Sequence, residues 1–510
     1  MQAQGGFHKM ELFFQGHDYK YAVEQIMLML FPGERPVYPE APPEEDASSF
    51  YATVSLREDA AGIAAETEIV KDGVRYAGSA ETERPEADDA IVVPRLRQRA
   101  LKQSFYRAAV RLLGEKPVWG ALSGVRPARL MRGALKEAPD EETAARRFME
   151  LYDVSPERTA LCLDAAKQAD QADQALGPKD VCLYVSIPFC PTRCSYCSFV
   201  SQPAGQSKQA DLIDAYLETL RKEIFATAAA LEEADVRVVS LYFGGGTPTI
   251  LTPEQLRRLL LLLDGEFDLS RCREITVEGG RPDTITAEKL EVLEAHGVGR
   301  VSVNPQSMSA RVLDAIGRRH SAADVIDAMA LVKSFNNRFS VNMDLIAGLP
   351  EDTLESFIRS VELVLKMDPE NVTVHTLTLK RGSQITAEGA RLPTGREVGE
   401  MLAASETLLR ERGYRPYYLY RQKYMSGGYE NVGWSLPGKE NLYNICVMEE
   451  LRSVIAMGAG GSTKLTLGDG RLRRMFTPKY PKEYIETIAK ICGEKSQIAE
   501  FYSTKKGAPS

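Results

Sequence analysis

The sequence predicts an α/β protein built on six β-α units that form an incomplete or complete (β/α) barrel, with an α+β region on either side. Two observations predict this fold class. Six strand-like runs alternate with helical patterns in the middle of the 510-residue chain, and parallel strands need such crossover connections. The stretches before and after the alternation lack that rhythm, so we predict three regions.

The first region, residues 1–176, is predicted to be an accessory α+β module. A proline-rich, acidic linker at 36–46 cannot form regular structure for long. Periodicity predicts a strand, a hairpin with a D-G turn and two helices, at 51–57, 66–76, 91–113 and 140–175. Glycine and proline around Trp119 and Arg126 indicate either a turn packed under the indole or the edge of a site.

The second region, residues 177–390, carries the β-α alternation. Its strand-like runs lie at 181–187, 236–243, 274–277, 300–303, 339–345 and 371–377. Its helical patterns lie at 210–231, 253–263, 287–295, 311–316 and 354–366. In barrels of this kind the chemistry lies at the carboxyl ends of the strands.

The third region, residues 391–510, opens with a helix at 397–412 and continues through a tyrosine-rich run and glycine-rich segments, including GAGG at 458–461. We predict a separate α+β domain that covers the barrel mouth.

Composition excludes several function classes. A net charge of −8 and a pI near 5.5 argue against nucleic acid as the main partner, because that partner demands a basic surface. The amino terminus has no secretory pattern, and no run reaches the roughly 18 apolar residues of a membrane span. We therefore expect a cytoplasmic protein with reduced thiols.

Three of the eight cysteines, Cys190, Cys194 and Cys197, stand together directly after the first core strand. Three thiolates at C-x3-C-x2-C spacing can hold a [4Fe–4S] cluster and leave its fourth iron open, whereas clusters that only carry electrons normally have four cysteines. A zinc site would need a fourth ligand nearby, and none follows in the segment. The cluster is the favoured interpretation, with zinc or a fortuitous cysteine-rich loop as the alternatives.

Polar residues follow the other strands. A glycine-rich run, GGGTPT at 244–249, allows close backbone approach to a ligand, although by itself it is equally a tight turn. Glu278 and Asp344 place carboxylates at the ends of apolar strands, where each needs an ion-pair partner or a ligand. Gln306, Arg318 and His320 are the remaining candidates for a polar ring around a ligand, although each singly is more simply structural. His375, in the last core strand, is more simply a core histidine.

These motifs together resemble the oxygen-independent coproporphyrinogen III oxidase (coproporphyrinogen dehydrogenase) family of the radical S-adenosylmethionine (SAM) superfamily, most closely its HemZ-type branch. The resemblance covers about 300 residues of the chain. It includes the cysteine stretch, the GGGTPT run, IGRRH at 316–320, DLIAGLP at 344–350 and ENVG at 430–433. EGGRPD at 278–283 and the long N-terminal module are similar to the HemZ-type branch.

The resemblance implies a radical SAM (β/α)6 partial TIM-like barrel with a coproporphyrinogen-oxidase-like C-terminal domain, and it implies site residues. Cys190, Cys194 and Cys197 would hold the cluster. The SAM bound to its open iron would contact Tyr184, Gly245 and Glu278. A second SAM, as described for the oxygen-independent coproporphyrinogen III oxidases, would contact Tyr196, Gly246, Thr247, Gln306, Arg318 and Asp344.

The implied reaction is the oxidative decarboxylation of two propionates of coproporphyrinogen III, giving protoporphyrinogen IX in haem biosynthesis. An electron from the cluster would split SAM and form a 5′-deoxyadenosyl radical. The implied partners are the tetrapyrrole and a low-potential electron donor of the flavodoxin or ferredoxin type. The substrate's carboxylates need cations, and the sequence supplies Lys380, Arg381, Arg421 and Lys423.

The chain also departs from the parent pattern. Phe199 replaces a further cysteine, Ser186 replaces a histidine, and the N-terminal module is different. Relatives that share Phe199 include haem chaperones and radical methyltransferases acting on porphyrins, so both remain alternative functions. A haem carrier would need an accessible axial ligand, for which His375, His320, Cys446 and the tyrosines of the C-terminal region are the candidates.

Overall fold

The structure is a computed structural model that describes residues 8–40, 50–59, 62–85, 92–199, 202–203, 210–379, 385, 391–422, 425–468 and 471–503. By its internal contacts the chain divides into two compact units. The first contains Met1–Leu163 and Arg421–Tyr424, and the second contains Asp164–Tyr420 and Met425–Ser510. The predicted division at 176 and 390 stays a prediction.

The first unit is a five-stranded mixed sheet with helices packed on one face. The sheet order is β2-β1-β3-β4-β5, formed by β1 (His8–Gln15), β2 (Glu34–Val37), β3 (Phe50–Glu58), β4 (Ile63–Lys71) and β5 (Val74–Thr82). Its helices are α1 (Lys20–Leu30), α2 (Val92–Leu113), α3 (Pro127–Glu137) and α4 (Glu141–Tyr152). Alternate residues of β1, β3 and β4 form one apolar core with α1 and α2.

The predicted hairpin is present, and Asp72 and Gly73 form its two-residue turn with φ of 51° and 75°. This left-handed pair matches the twist of the flanking strands. The first two residues of the predicted linker, Pro36 and Val37, belong to β2. Its residues 41–46 lie outside the described residues.

The single helix predicted at 140–175 is wrong. The structure has α4 followed by a separate α5 (Pro156–Gln174). Asp153 ends α4 in the left-handed region at φ 54°, and Pro156 has no N–H to continue a helix through its own position. The apolar periodicity on either side concealed this break.

The second unit has one eleven-stranded sheet in the order β14-β15-β13-β12-β11-β10-β9-β6-β16-β17-β18. The six predicted core strands are its centre, and adjacent members run parallel. They are β6 (Asp180–Ile187), β9 (Arg237–Gly245), β10 (Glu274–Glu278), β11 (Arg300–Ser302), β12 (Ser340–Ala347) and β13 (Asn371–Thr376). A separate two-residue pair, β7 (Phe189–Cys190) and β8 (Gln202–Pro203), brackets the cysteine loop.

Five predicted helices connect the core strands: α6 (Ala210–Ala234), α7 (Pro253–Glu266), α8 (Ala287–Ala295), α9 (Ala310–Ala315) and α11 (Leu354–Leu365). A sixth helix, α10 (Ala322–Lys333), lies between α9 and β12 and was not predicted. Thr252, Ser321 and Thr353 cap α7, α10 and α11 with reciprocal capping boxes, which explains their sharp amino-terminal ends.

The residues after 391 extend the same sheet at both edges. On one side lie β14 (Arg415–Tyr420) and β15 (Asn431–Ser435), and on the other β16 (Ser453–Met457), β17 (Ser462–Thr466) and β18 (Leu472–Phe476). β15 pairs antiparallel with β13, and β16 pairs parallel with β6. Among the described strands, β6 and β13 therefore do not pair with each other, and the barrel is open between them.

Five helices accompany these strands: α12 (Gly395–Glu411), α13 (Leu442–Glu449), α14 (Pro481–Glu486), α15 (Ile488–Glu494) and α16 (Ser496–Ser503). None of the described helices has the length and apolar character needed to cross a membrane.

Candidate functional site

The predicted site residues lie at one edge of the sheet, where the six parallel strands end. The cysteine loop follows β6, the glycine run ends β9, and Glu278 is the last residue of β10. Asp344 and His375 lie on adjacent strands, β12 and β13. Because parallel strands share an edge, this arrangement brings residues distant in sequence to one rim.

The cysteine loop is held by backbone hydrogen bonds. Cys190 ends β7, and the N–H of Cys197 donates to the carbonyl of Cys194 at 3.1 Å. The N–H of Ser195 donates to the carbonyl of Ile316 at 3.1 Å, which ties the loop to the end of α9. Thr247 Oγ1 donates to Cys190 Sγ at 3.5 Å.

Two buried arginines lie beside Cys194 and Tyr196. Arg281 Nη1 is 3.9 Å from Cys194 Sγ. Arg318 donates through Nη2 to the hydroxyl of Tyr196 at 3.1 Å and through Nη1 to the carbonyl of Asn304 at 2.6 Å. Positive charge at this corner favours thiolates and other anions.

The surroundings of Cys197 oppose its ionisation. Burial raises the pKa of Cys197, and the neighbouring Cys194 and Cys190 raise it further. Among the described residues, no three His, Cys, Asp or Glu side chains form a site for a single metal ion. A cubic cluster does not require that, because each thiolate binds a different iron.

The glycine run forms a cradle against the cysteine loop. The N–H of Gly246 donates to the carbonyl of Ile187 at 2.8 Å, and that of Thr247 donates to the carbonyl of Phe189 at 2.7 Å. A Cβ on Gly246 would collide with the backbone of Phe189, and Gly245 has φ 108°, a conformation that glycine alone adopts readily. These two positions require glycine.

Glu278 lies at a second corner with Tyr184 and Gly244. A Cβ on Gly244 would lie 3.1 Å from the Tyr184 hydroxyl and 3.2 Å from the Glu278 carboxyl carbon. Tyr242 donates to Glu278 Oε1 at 2.6 Å. Burial raises the pKa of Glu278 to about 7, and although the Tyr242 hydrogen bond opposes the rise, the nearby Asp344 carboxylate adds to it.

Three stacked tyrosines form the wall behind this corner. The rings of Tyr242 and Tyr443 are 4.3 Å apart, and each lies about 6 Å from the ring of Tyr184, at 6.2 and 6.1 Å. The interplanar angles are 18° to 20°. The stack fixes the orientation of Tyr184 and Tyr242, and with it the carboxylate they face.

Asp344 is the centre of a third group. Its Oδ1 accepts from Asn342 Nδ2 at 2.7 Å, and its Oδ2 lies 3.8 Å from His375 Nε2. Burial opposes its ionisation, but hydrogen bonds from His375, Asn342 and Thr373 outweigh it, and the pKa of Asp344 is lowered. The N–H of Gln306 donates to the Asp344 carbonyl at 2.8 Å, and Gln306 adopts φ 66°.

Several functional residues were missed from sequence. Tyr242 and Tyr443 read as core aromatics, and only their stacking with Tyr184 connects them to the site. Arg281 was quoted within EGGRPD without a role. The two glycines before Arg281 predict a tight loop after the strand. Such a loop would bring the arginine close to the ends of the neighbouring strands.

Arg421 does not serve as an exposed cation, contrary to the prediction. It is buried in the first unit, where its guanidinium stacks on Trp119 at 4.9 Å and donates to the carbonyl of Leu122. The turn around Trp119 is therefore packed under the indole, as one of the two interpretations proposed. Lys380, Arg381 and Lys423 lie outside the described residues.

Two of the proposed haem ligands are also buried. His320 is 5% exposed, and burial together with Arg318 and Arg281 lowers its pKa to about 4. Cys446 is fully buried in an apolar cluster with Cys182. His375 remains partly exposed, at 28% of its side chain.

The residues present fit a [4Fe–4S] cluster with SAM. Two buried guanidiniums lie beside the loop of three thiols, Arg281 near Cys194 Sγ and Arg318 at the Tyr196 hydroxyl, which suits an anionic group. The glycine cradle leaves space beside the loop. One buried nitrogen, Nη2 of Arg281, has no hydrogen-bond partner among the described residues and so can donate to a further anionic neighbour.

The comparisons with known proteins agree with this chemistry. Residues 184–364 match the family model described as the radical SAM superfamily. The "Oxygen-independent coproporphyrinogen-III oxidase-like protein HemZ" of Bacillus subtilis is 40% identical over 397 residues, covering 76% of this chain and 78% of that protein. The "Heme chaperone HemW" of Mycobacterium tuberculosis is 30% identical over 312 residues, 60% of this chain and 74% of that protein.

A solved structure is similar as well. Coproporphyrinogen III oxidase (HemN) from Escherichia coli, described as a radical SAM enzyme, superposes with a TM-score of 0.51 and 25% identity, covering 64% of this chain and 72% of that chain. The chain belongs to the radical SAM superfamily and, within it, to the family of oxygen-independent coproporphyrinogen-III oxidase-like proteins represented by HemZ. Its cofactors are a [4Fe–4S] cluster and SAM.

Proposed function

We propose that the protein catalyses the oxygen-independent oxidative decarboxylation of coproporphyrinogen III to protoporphyrinogen IX. The observation that carries this proposal is that the nine predicted SAM contacts lie around the cysteine loop and the neighbouring strands. Gly245 and Glu278 end β9 and β10, whereas Tyr184 and Asp344 lie within β6 and β12. Gly246 and Thr247 donate hydrogen bonds to the backbone of Ile187 and Phe189, Gln306 donates to the Asp344 carbonyl, and Arg318 donates to Tyr196 in the cysteine loop. A protein that only carried haem would not need a second set of polar SAM contacts.

In this proposal Cys190, Cys194 and Cys197 hold the cluster. When bound, the cluster and SAM would supply the one-electron chemistry that removes a hydrogen atom from a propionate side chain. Loss of CO2 from that side chain and of one electron to an external acceptor would leave a vinyl group. Glu278, oriented by Tyr242 and the tyrosine stack, accepts hydrogen bonds from the first SAM. Because burial raises the pKa of Glu278, the protein alone does not fully stabilise its ionised carboxylate. The positive charge and the N–H donors of SAM would supply the remaining stabilisation.

The second polar group would orient a second SAM. Asp344 is kept ionised by His375, Asn342 and Thr373, so it is a permanent acceptor. Arg318 is fixed by Tyr196 and the Asn304 carbonyl, so it is a permanent donor. An acceptor and a donor held rigidly on different strands suit a zwitterionic amino acid group.

The substrate's carboxylates need cationic partners, and the structure changes which residues can supply them. Arg421 is committed to Trp119 and Leu122. By sequence, Lys380, Arg381 and Lys423 remain the predicted partners.

Haem delivery is the second candidate function. HemW relatives are named heme chaperones, and His375 keeps a partly exposed imidazole. Its pairing with Asp344 favours a role inside the polar ring, but an imidazole with a carboxylate partner is also a competent haem ligand.

Anaerobic incubation of the cluster-loaded protein with SAM, a low-potential reductant and coproporphyrinogen III tests the proposal, with products read by mass spectrometry. Protoporphyrinogen IX or the mono-decarboxylated intermediate is expected, together with 5′-deoxyadenosine. An Asp344→Asn variant should keep the cluster and lose product. Formation of 5′-deoxyadenosine without porphyrin product, with tight haem binding and transfer that His375→Ala abolishes, would instead establish haem delivery.

A further inference from the structure

Arg281 is a buried cation in contact with the cysteine loop, and none of the predicted site roles uses it. Its side chain is 3% exposed, in the loop that follows β10. Its Nε pairs with Asp283 Oδ1 at 3.2 Å, and that carboxylate is 45% exposed. Because Asp283 is partly hydrated, it neutralises the buried charge only in part.

The guanidinium points at the Cys194 side of the loop. Nη1 donates to Thr192 Oγ1 at 3.0 Å and lies 3.9 Å from Cys194 Sγ. Thr192 stands between Cys190 and Cys194 in the sequence, so a single nitrogen of Arg281 contacts both a side-chain hydroxyl of the loop and one of its predicted ligands. These contacts hold the cation beside the Cys194 thiol.

The second terminal nitrogen has no partner in the part of the chain that the structure describes, although it is buried. Leaving a buried donor without an acceptor is unfavourable, and more so for a charged group. Arg318 adds a second buried guanidinium to this neighbourhood, with Nη1 3.5 Å from the carbonyl of Gly280, the residue before Arg281. The region therefore has an excess of positive charge and an unused donor, and it calls for an anionic acceptor.

We propose that Arg281 is a tuning residue for the [4Fe–4S] cluster, which donates a charge-assisted hydrogen bond from Nη2 to a cluster sulfur at the Cys194 corner and raises the reduction potential. This inference rests on the cysteine ligands of the proposed function but not on its substrate. Reduction adds one negative charge to a group that is already anionic with three thiolates. A cation fixed nearby in a low dielectric stabilises the reduced form more than the oxidised form, and hydrogen bonds to sulfur act in the same direction.

The test is a redox titration of the cluster in the full-length protein without SAM or porphyrin. Electron paramagnetic resonance monitors the titration and gives the midpoint potential. Arg281→Gln removes the charge and keeps much of the shape, and it is expected to lower the midpoint potential while iron content stays at the wild-type value. Arg319→Gln is the matched control, because this arginine is exposed and follows Arg318 directly. Its potential is expected to equal that of the wild type.

Two further variants keep the test decisive if Arg281→Gln fails to retain the cluster. Arg281→Lys keeps the charge but loses the planar guanidinium. Its midpoint potential should lie between those of the wild type and the Arg281→Gln variant. If only the Lys variant retains a cluster, its potential should lie below that of the wild type. Asp283→Asn removes the partner carboxylate and should shift the potential upward. Unchanged potentials in the loaded variants would overturn the proposal, whereas wild-type protein without a cluster would overturn the cysteine assignment instead.

Discussion

At the residue scale, the neighbours of two carboxylates at the site shift their pKa values in opposite directions. Glu278 is partly buried among tyrosines and near a second carboxylate, so its ionised form is disfavoured. Asp344 is also partly buried, with 18% of its side chain exposed, but it has His375, Asn342 and Thr373 as partners, so its ionised form is favoured. Two carboxylates at one rim are thereby assigned different protonation behaviour by their neighbours.

The Glu278 carboxyl makes a testable contribution to stability. Because its folded pKa of about 7 is raised above the usual value, ionisation destabilises the folded state progressively from about pH 4.5 to 7 and by a constant amount above that. In cluster-free protein we expect Glu278→Gln to be more stable than the wild type at pH 8, by up to about 3 kcal/mol. The difference should shrink towards zero at pH 5, measured by urea denaturation.

Glu291→Gln is the control for this measurement, since Glu291 is exposed on α8. Its stability difference from the wild type should be small and similar at the two pH values. A Glu278→Gln variant that is less stable than the wild type at pH 8 would show that the carboxylate is stabilised by partners other than Tyr242.

At this scale, the sequence predicts the role of a residue when its type occurs in few kinds of site. It does not predict the role of a residue whose contacts are distant in the sequence. Three cysteines at close spacing, and glycines at the end of a strand, restrict the possibilities strongly. Arg421 looked like a surface cation, but its partners Trp119 and Leu122 lie about 300 positions earlier in the sequence. Nothing local in the sequence encodes that pairing.

At the element scale, the six central strands were predictable because parallel strands buried on both faces read as apolar runs. The pairing of β16 with β6 was not, because its register depends on residues some 270 positions apart. That pairing places the GAGG loop after β16 beside the end of β6. There Ser186 Oγ donates to the Ala459 carbonyl at 2.7 Å, and the Tyr216 hydroxyl donates to the Ser186 carbonyl at 2.7 Å.

A buried ion pair holds this arrangement. Glu223 on α6 pairs with Lys495 at 2.7 Å, with side chains 0% and 4% exposed. The other oxygen of Glu223 accepts from the N–H of Gly458 at 2.7 Å and from the Tyr484 hydroxyl at 2.6 Å. Lys495 also donates to the carbonyl of Ala456 at 3.0 Å. The pair thus joins α6, the GAGG loop and the carboxyl-terminal helices.

We expect Lys495→Met to destabilise the protein by about 3–5 kcal/mol, because it leaves Glu223 buried without its counter-charge. Adding Glu223→Gln should recover much of the loss, since both charges are then absent. Arg359→Met is the control, because its pair with Glu355 is exposed and contributes at most about 0.5 kcal/mol. Denaturant unfolding compares the variants, and a Lys495→Met loss no larger than that of the control would contradict the role of the pair.

At the scale of the whole molecule, the fold and the family do not by themselves determine the activity. Relatives named as oxidase-like proteins, heme chaperones and an oxidase share the radical SAM fold, so the fold alone does not choose among them. The choice depends on whether the polar ring at the strand ends binds SAM productively. The sequence indicated the ring's members, whereas their partners, such as Tyr242 for Glu278 and His375 for Asp344, needed the structure.

The most direct test of the account measures iron and SAM cleavage in matched cysteine variants after anaerobic reconstitution. The wild type and Cys492→Ala, whose cysteine lies in α15 outside the loop, should each bind about four irons per chain and release 5′-deoxyadenosine from SAM when reduced. Cys194→Ala should lose both the visible charge-transfer absorption and the cleavage. A Cys194→Ala protein that keeps a full cluster and cleaves SAM would contradict the central claim that Cys190, Cys194 and Cys197 hold it.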